Sequence, residues 1–211
     1  MTKPGRYIVI EGTDGTGKST QAELLAEKLE KLGIKVIQFH EPGGTDISQA
    51  LRKVILNASL DRVGLTNVLL FSAARCENWA QQGRVALNQG TWIISARDYT
   101  STLAYQGYGE GVDLELIENI TKLATDEKYV QPDMRIILDI DDEAERVRRI
   151  SERGEIENPD TFESRDDKFQ QTIIDGYRDL AKRKEMPVIS ASQSIDAIAD
   201  EIWRIVEPLT S

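Results

Sequence analysis

The stretch Gly12-Thr13-Asp14-Gly15-Thr16-Gly17-Lys18-Ser19 decides how this 211-residue chain is read. Its spacing, G-x-x-x-x-G-K-[ST], is that of a loop whose backbone N–H groups cradle phosphates. Glycines let successive N–H groups turn toward one anion. The helix that follows adds its unpaired N-terminal N–H groups and its positive dipole end. Lys18 brings a full charge to the outer phosphates, and Ser19 offers a hydroxyl to Mg²⁺. A chance glycine-rich turn is the plainer reading. It loses because four fixed positions match and because the loop lies between a strand and a helix pattern. The loop alone leaves the fate of the phosphate open.

Working outward, Tyr7-Ile8-Val9-Ile10 before the loop reads as a strand buried on both faces. After it, Ala22, Leu25, Ala26, Leu29 and Leu32 recur at helical spacing up to Gly33, and residues 34–39 read as a second strand. Strand, helix and strand form a right-handed βαβ unit. Further strands are expected at 92–94, 136–140 and 188–189. Helices are expected at about 66–87, with core candidates Leu69, Leu70, Ala73, Ala74 and Val85, and after Asp141 or Asp142, with Ala144, Val147 and Ile150 facing inward. Others are expected through Leu51, Val54 and Ile55, through Leu114, Ile117, Ile120 and Leu123, over 162–184, and from Ile195 to Leu209. Residues 154–160 break periodicity and read as a mobile loop. The expectation is an α/β fold, a five-stranded parallel sheet flanked by helices, as one domain over 1–211. Ligands then belong at the carboxyl ends of the strands.

A net charge of −10 argues against partners that are nucleic acid or anionic membrane. One cysteine, Cys76, excludes an internal disulfide and a multi-thiolate metal site, and reads as a small core residue. One histidine, His40, excludes a histidine metal cluster. No stretch is apolar for long enough to be a membrane span or a signal peptide, so a cytoplasmic enzyme is expected.

Three further stretches bear on ligands. Glu41-Pro42-Gly43-Gly44-Thr45 follows the second strand; by itself it is a surface turn. Phe71 and Arg75 lie four apart on a helix, where a ring and a forked donor can take the face and edge of a base. A core Phe with a snorkelling Arg is the plainer reading there. In Arg97-Asp98-Tyr99-Thr100-Ser101-Thr102-Leu103-Ala104-Tyr105-Gln106-Gly107, a strand terminus carries an arginine able to clamp phosphate.

In this order, and with Leu70-Phe71-Ser72-Ala73-Ala74-Arg75 and Arg153-Gly154-Glu155, these stretches make the chain resemble the thymidylate kinases over nearly its whole length. The resemblance implies a P-loop NTPase fold with a small lid at about 149–166. It implies transfer of phosphate from ATP, with Mg²⁺, to dTMP on the way to dTTP. A kinase for another deoxynucleoside monophosphate and a nucleotide-dependent switch are the alternatives. The resemblance implies ATP contacts at Gly12, Thr13, Asp14, Gly15, Thr16, Gly17, Lys18, Ser19 and Thr20, with Ser19 toward the metal. On the acceptor side, Phe71 would stack on thymine and Arg75 would reach its edge. Arg97 would bind phosphates, Tyr105 would crowd the sugar 2′ position, and Asp14, Arg52, Thr102 and Gln106 would complete the site. A homodimer through the long helices is implied.

One type of the family carries an extra catalytic arginine directly after the acidic residue of the P-loop. Here that position is Gly15, which implies the type whose lid supplies it, with Arg153 as the match and Arg149 and Arg165 in reserve. Lys18, Arg97 and Arg153 would then be the catalytic cations. Arg146 and Arg148 read as a solvated charged face. The chain departs from the family pattern at Ala96, where Asp usually precedes the arginine, at His40, and at Thr161. Asp98 is a candidate to substitute for the missing acid.

Overall fold

A computed structural model describes residues 4–152, 161–162 and 165–210, the side chain of residue 143 excepted. Strand β1 (Tyr7–Gly12) leads through the glycine-rich loop into α1 (Lys18–Lys31). Then follow β2 (Val36–His40), α2 (Asp46–Ile55), α3 (Gly64–Asn78), a π-helical turn (Trp79–Gly83), α4 (Arg84–Asn88) and β3 (Trp92–Ala96). Next come α5 (Tyr99–Thr102), a second π-helical stretch (Leu103–Gly109), α6 (Leu114–Ala124), α7 (Glu127–Val130) and β4 (Met134–Asp139). The chain ends with α8 (Glu143–Glu152), α9 (Asp167–Arg183), β5 (Val188–Ser190), α10 (Ile195–Val206) and a 3₁₀ turn (Glu207–Thr210).

The five strands form one sheet in the order β2-β3-β1-β4-β5, every pair parallel, as the alternation of strands and helices implies. Strand β1 is central, with Tyr7 opposite Ile93 and Ile8 opposite Met134. Its side chains alternate between two cores. Tyr7 and Val9 join Phe39, Trp79, Tyr129 and Tyr177 on one face, and Ile8 and Ile10 join Leu25, Leu29, Ile198 and Ile202 on the other. Placing β1 between two neighbours puts the loop after it in the middle of the carboxyl edge of the sheet.

The expected long helix over 66–87 is interrupted at Trp79–Gly83. A Cβ on Gly83 would lie 2.4 Å from the Trp79 ring, so the indole packs directly on that glycine's backbone. Leu69, Ala73 and Val85 are exposed rather than core, Leu69 by 52%. Helix α3 has two apolar faces, and the covered one carries Val68, Ala74 and Arg75. Leu32, Val54, Leu123 and Ile195 are likewise exposed apolar residues, and Cys76 is half-buried. In α8 the expectation holds only for Ile150, which is half-buried beside Gly15; Ala144 and Val147 are exposed, while Arg146 is buried. The loop expected over 154–160 lies outside the described residues.

Candidate active site

The loop between β1 and α1 is shaped by backbone conformations that side chains resist. Gly12 has φ +143°, and a Cβ there would lie 2.2 Å from the Leu138 carbonyl oxygen of neighbouring β4. Gly15 has φ +87°, and its Cβ would meet the Arg146 carbonyl oxygen at 2.9 Å and Arg146 Cγ at 3.2 Å. The loop is thus backed by α8, which leaves no room at position 15 for an arginine. Within the loop, the Thr16 hydroxyl donates to the Thr13 carbonyl at 2.9 Å. Lys18 Nζ donates to the same carbonyl at 2.7 Å and stands 3.9 Å from Asp14. Ser19 and Thr20 are exposed in the first turn of α1.

Beyond β3 the chain turns at Arg97, whose φ of +87° is rare for a residue with a Cβ. Its guanidinium bonds the Asp14 carboxylate, the Gly12 carbonyl at 3.1 Å and the Ser101 hydroxyl at 2.9 Å. The Tyr105 hydroxyl holds the other Asp14 oxygen at 2.9 Å. Burial disfavours charge on Asp14, but Arg97, then Lys18 and Tyr105, outweigh it and hold the carboxyl well below the usual carboxylate range. Glu11, fully buried just before the loop, is pushed up by burial and by the Asp98 charge.

At the other end lies a second buried arrangement. Arg75 Nε donates to Glu41 at 2.9 Å and to the Tyr129 hydroxyl at 2.7 Å, and Arg75 Nη2 donates to Thr102 at 3.2 Å. The Tyr129 hydroxyl also donates to Glu41 at 2.7 Å. Burial pushes the Glu41 carboxyl up, against the pull of Arg75. Arg75 is therefore not a snorkelling arginine: its side chain is 1% exposed. Phe71 stands 6.0 Å from the Phe162 ring, and Tyr105 meets Phe162 edge-on at 5.8 Å.

Both arrangements open on one cavity of about 660 Å³. All eight residues expected around the acceptor line it: Asp14, Arg52, Phe71, Arg75, Arg97, Thr102, Tyr105 and Gln106. Lys18 and Ser19 line it too, as do the departures His40 and Ala96. Arg52 donates to the carbonyl of Pro42, which also lines the cavity, at 2.7 Å.

Three expectations do not hold as stated. Asp98 lines the cavity, but both its oxygens are already engaged, one accepting from Thr100 N at 2.7 Å and the other from Arg135 at 2.9 Å. Arg146 is buried beside the loop, although Arg148 does sit on a charged surface with Glu145 and Glu152. Of the reserve arginines, Arg149 bonds Glu145 and the Ala191 carbonyl, and Arg165 lies over the Phe169 ring; neither lines the cavity. Arg153 lies outside the described residues. Glu11, Tyr129 and Tyr177 went unnoticed in the sequence, and Phe162 appeared there only as the start of a helix and in no site role. Only Glu11 carries a signal there, a charge at the end of a strand otherwise buried on both faces.

A phosphate loop on the central strand of a parallel sheet, facing a cavity with cations at one end and an aromatic ring at the other, defines a P-loop nucleotide phosphotransferase. The comparisons narrow the class. The family model for thymidylate kinase matches residues 10–202. A thymidylate kinase of Prochlorococcus marinus (strain AS9601) is 40% identical over 94% of this chain and 93% of its own length. That of Pelotomaculum thermopropionicum is 36% identical over 96% and 93%. The crystal structure of thymidylate kinase from Ehrlichia chaffeensis superposes with a TM-score of 0.75 at 32% identity, covering 97% of this chain and 99% of that one. The chain belongs to the thymidylate kinase family, ATP-dependent phosphotransferases.

Proposed function

We infer that this chain transfers the γ-phosphoryl group of ATP to the 5′-phosphate of dTMP, giving dTDP and ADP. One observation carries the reading: a single cavity joins a base end, Phe71 and Arg75, to a phosphate end, Arg97 and Lys18. At the base end, Arg75 Nη1 and Gln106 Nε2 are buried donors without a protein partner, suited to the polar edge of a pyrimidine.

The acceptor phosphate loses its second proton near pH 6, so at neutral pH it attacks without a general base. The obstacle is bringing two anions together. Lys18, Arg97 and, from the lid, Arg153 are proposed to neutralise that repulsion and to stabilise the charge of the transferring group. Asp14 holds Arg97 in place beside the loop. The Ser19 hydroxyl is an oxygen donor suited to Mg²⁺, which takes few protein ligands and completes its shell with phosphates and water. Among the described residues no group of three His, Cys, Asp or Glu side chains is placed to hold a metal ion. Bound Mg²⁺ would neutralise phosphate charge.

A homodimer is proposed through the uncovered apolar face of α3 and α6, where Leu65, Leu69, Leu116 and Leu123 are exposed. No described helix is long and apolar enough to cross a membrane. A cytoplasmic location is proposed, and the net charge of −10 supports the expectation of no nucleic-acid partner.

The test is ADP release, with ATP and Mg²⁺, over a panel of nucleoside monophosphates. The largest kcat/KM is expected for dTMP. Failure to form dTDP from dTMP overturns the reading, and a larger kcat/KM for another deoxynucleotide reassigns the acceptor.

A further inference from the structure

Arg97 adopts a backbone conformation that its own side chain disfavours, so something outside it must hold it. Glu11 is placed to do so. Its carboxylate is wholly buried, and Oε1 accepts from the backbone N–H groups of Asp98 at 2.8 Å and Ser101 at 3.0 Å. These two N–H groups bracket the turn that begins at Arg97. The Ser101 hydroxyl reaches Glu11 at 2.9 Å, and the Tyr177 hydroxyl, from α9, donates to Oε2 at 2.9 Å. Arg97 Nη1 donates to these same two hydroxyls, at 2.9 Å to Ser101 and 3.2 Å to Tyr177. It stands 3.9 Å from Glu11 Oε2 itself.

Each hydroxyl has one proton and accepts through its lone pairs. An ionised carboxylate only accepts, so with both protons turned to Glu11 the lone pairs of both oxygens face the guanidinium; the two hydroxyls also lie 2.9 Å apart, where either can donate to the other. The backbone of Arg97 and the far end of its side chain are thereby referred to one buried anion on the central strand. Asp14 holds the opposite nitrogen, Nη2, from the loop side.

We propose that Glu11, acting through Ser101 and Tyr177, is a positioning residue for Arg97, setting where its guanidinium meets the transferring phosphate. The proposal rests on the role given to Arg97 above. A purely structural role for Glu11, tying β1 to α5, is the competing account. The two differ in how losses combine, because residues acting through one group are not additive.

The experiment is a double-mutant cycle on kcat, with ADP release as the readout. Glu11→Gln keeps the size but places an NH₂ or a neutral oxygen where an anion stood. It is expected to lower kcat by about tenfold or more, as for a displaced catalytic group, with KM for dTMP and ATP changed by less than about threefold. Added to Arg97→Ala, Glu11→Gln is expected to lower kcat by less than about twofold further. Tyr177→Phe, which removes one hydroxyl from outside the strand, is expected to follow the same pattern with a smaller first loss. Losses that multiply in the double variants, or a Glu11→Gln enzyme within twofold of the parent kcat, overturn the proposal. If Glu11→Gln does not fold, the Tyr177→Phe and Arg97→Ala cycle decides by the same criterion. A near-normal rate for Arg97→Ala alone instead refutes the role of Arg97, a separable outcome.

Discussion

Arg97 and Asp14 are bonded to each other across the cavity floor, and each is needed by the other before any phosphate arrives. Removing the guanidinium leaves Asp14 with the Tyr105 hydroxyl and, at 3.9 Å, Lys18, and takes away a charge that acts on the transferring group. Arg97→Ala is expected to lower kcat by on the order of 100-fold or more, measured by ADP release. Asp14 makes a second expectation through its titration. Its carboxyl ionises at lower pH in the folded chain than in the unfolded one, because Arg97 and Lys18 outweigh its burial. A depressed folded value gives stability that is fully present above the unfolded pKa, about 4, and is lost as pH falls through the folded value. Asp14→Asn should therefore lower the urea midpoint at pH 7, and the gap to the parent should narrow as pH drops below about 4. A constant gap across that range would show that the charge contributes nothing.

At the scale of elements, the glycine-rich loop is only as well shaped as its packing against α8 allows. Gly15 has a left-handed backbone and touches Arg146, so both conformation and space oppose a side chain. Gly15→Ala is expected to cost about 1–2 kcal/mol or more, read from urea unfolding. This contact also shows what could be read from the sequence. The loop, the strand Tyr7–Ile10 and the alternation of strands and helices rest on local patterns, and the sheet agrees with them. Most of the residues gathered in the cavity were legible because they lie in short stretches with a pattern of their own, whereas Arg52 followed from the family resemblance alone. The burial of Arg146 depends on the loop it faces, more than a hundred residues back, and periodicity carries no trace of it. The same is true of Tyr177 meeting Glu11 and Tyr129 meeting Glu41, both distant in sequence. The exposed face of α3 was misread because apolar spacing marks a face to be covered without saying by what.

For the whole molecule, that uncovered face bears on assembly. Leu65, Leu69 and Ala73 repeat every fourth residue on α3, and Leu116 and Leu123 are exposed on α6. Sedimentation should give a mass twice the 23.7 kDa of the chain. Leu69→Glu, a charge at the middle of the stripe, should return it to 23.7 kDa without loss of helix content. A parent protein that sediments as a single chain would refute the pairing.

The ring of Phe162 has an optical consequence. It lines the cavity and meets Phe71 and Tyr105, whereas none of Trp79, Trp92 and Trp203 is among the residues lining it. Native emission should stay nearly constant as dTMP is titrated in. An indole at position 162, introduced as Phe162→Trp, should respond in intensity or wavelength and yield a dissociation constant from a cuvette, with no turnover required.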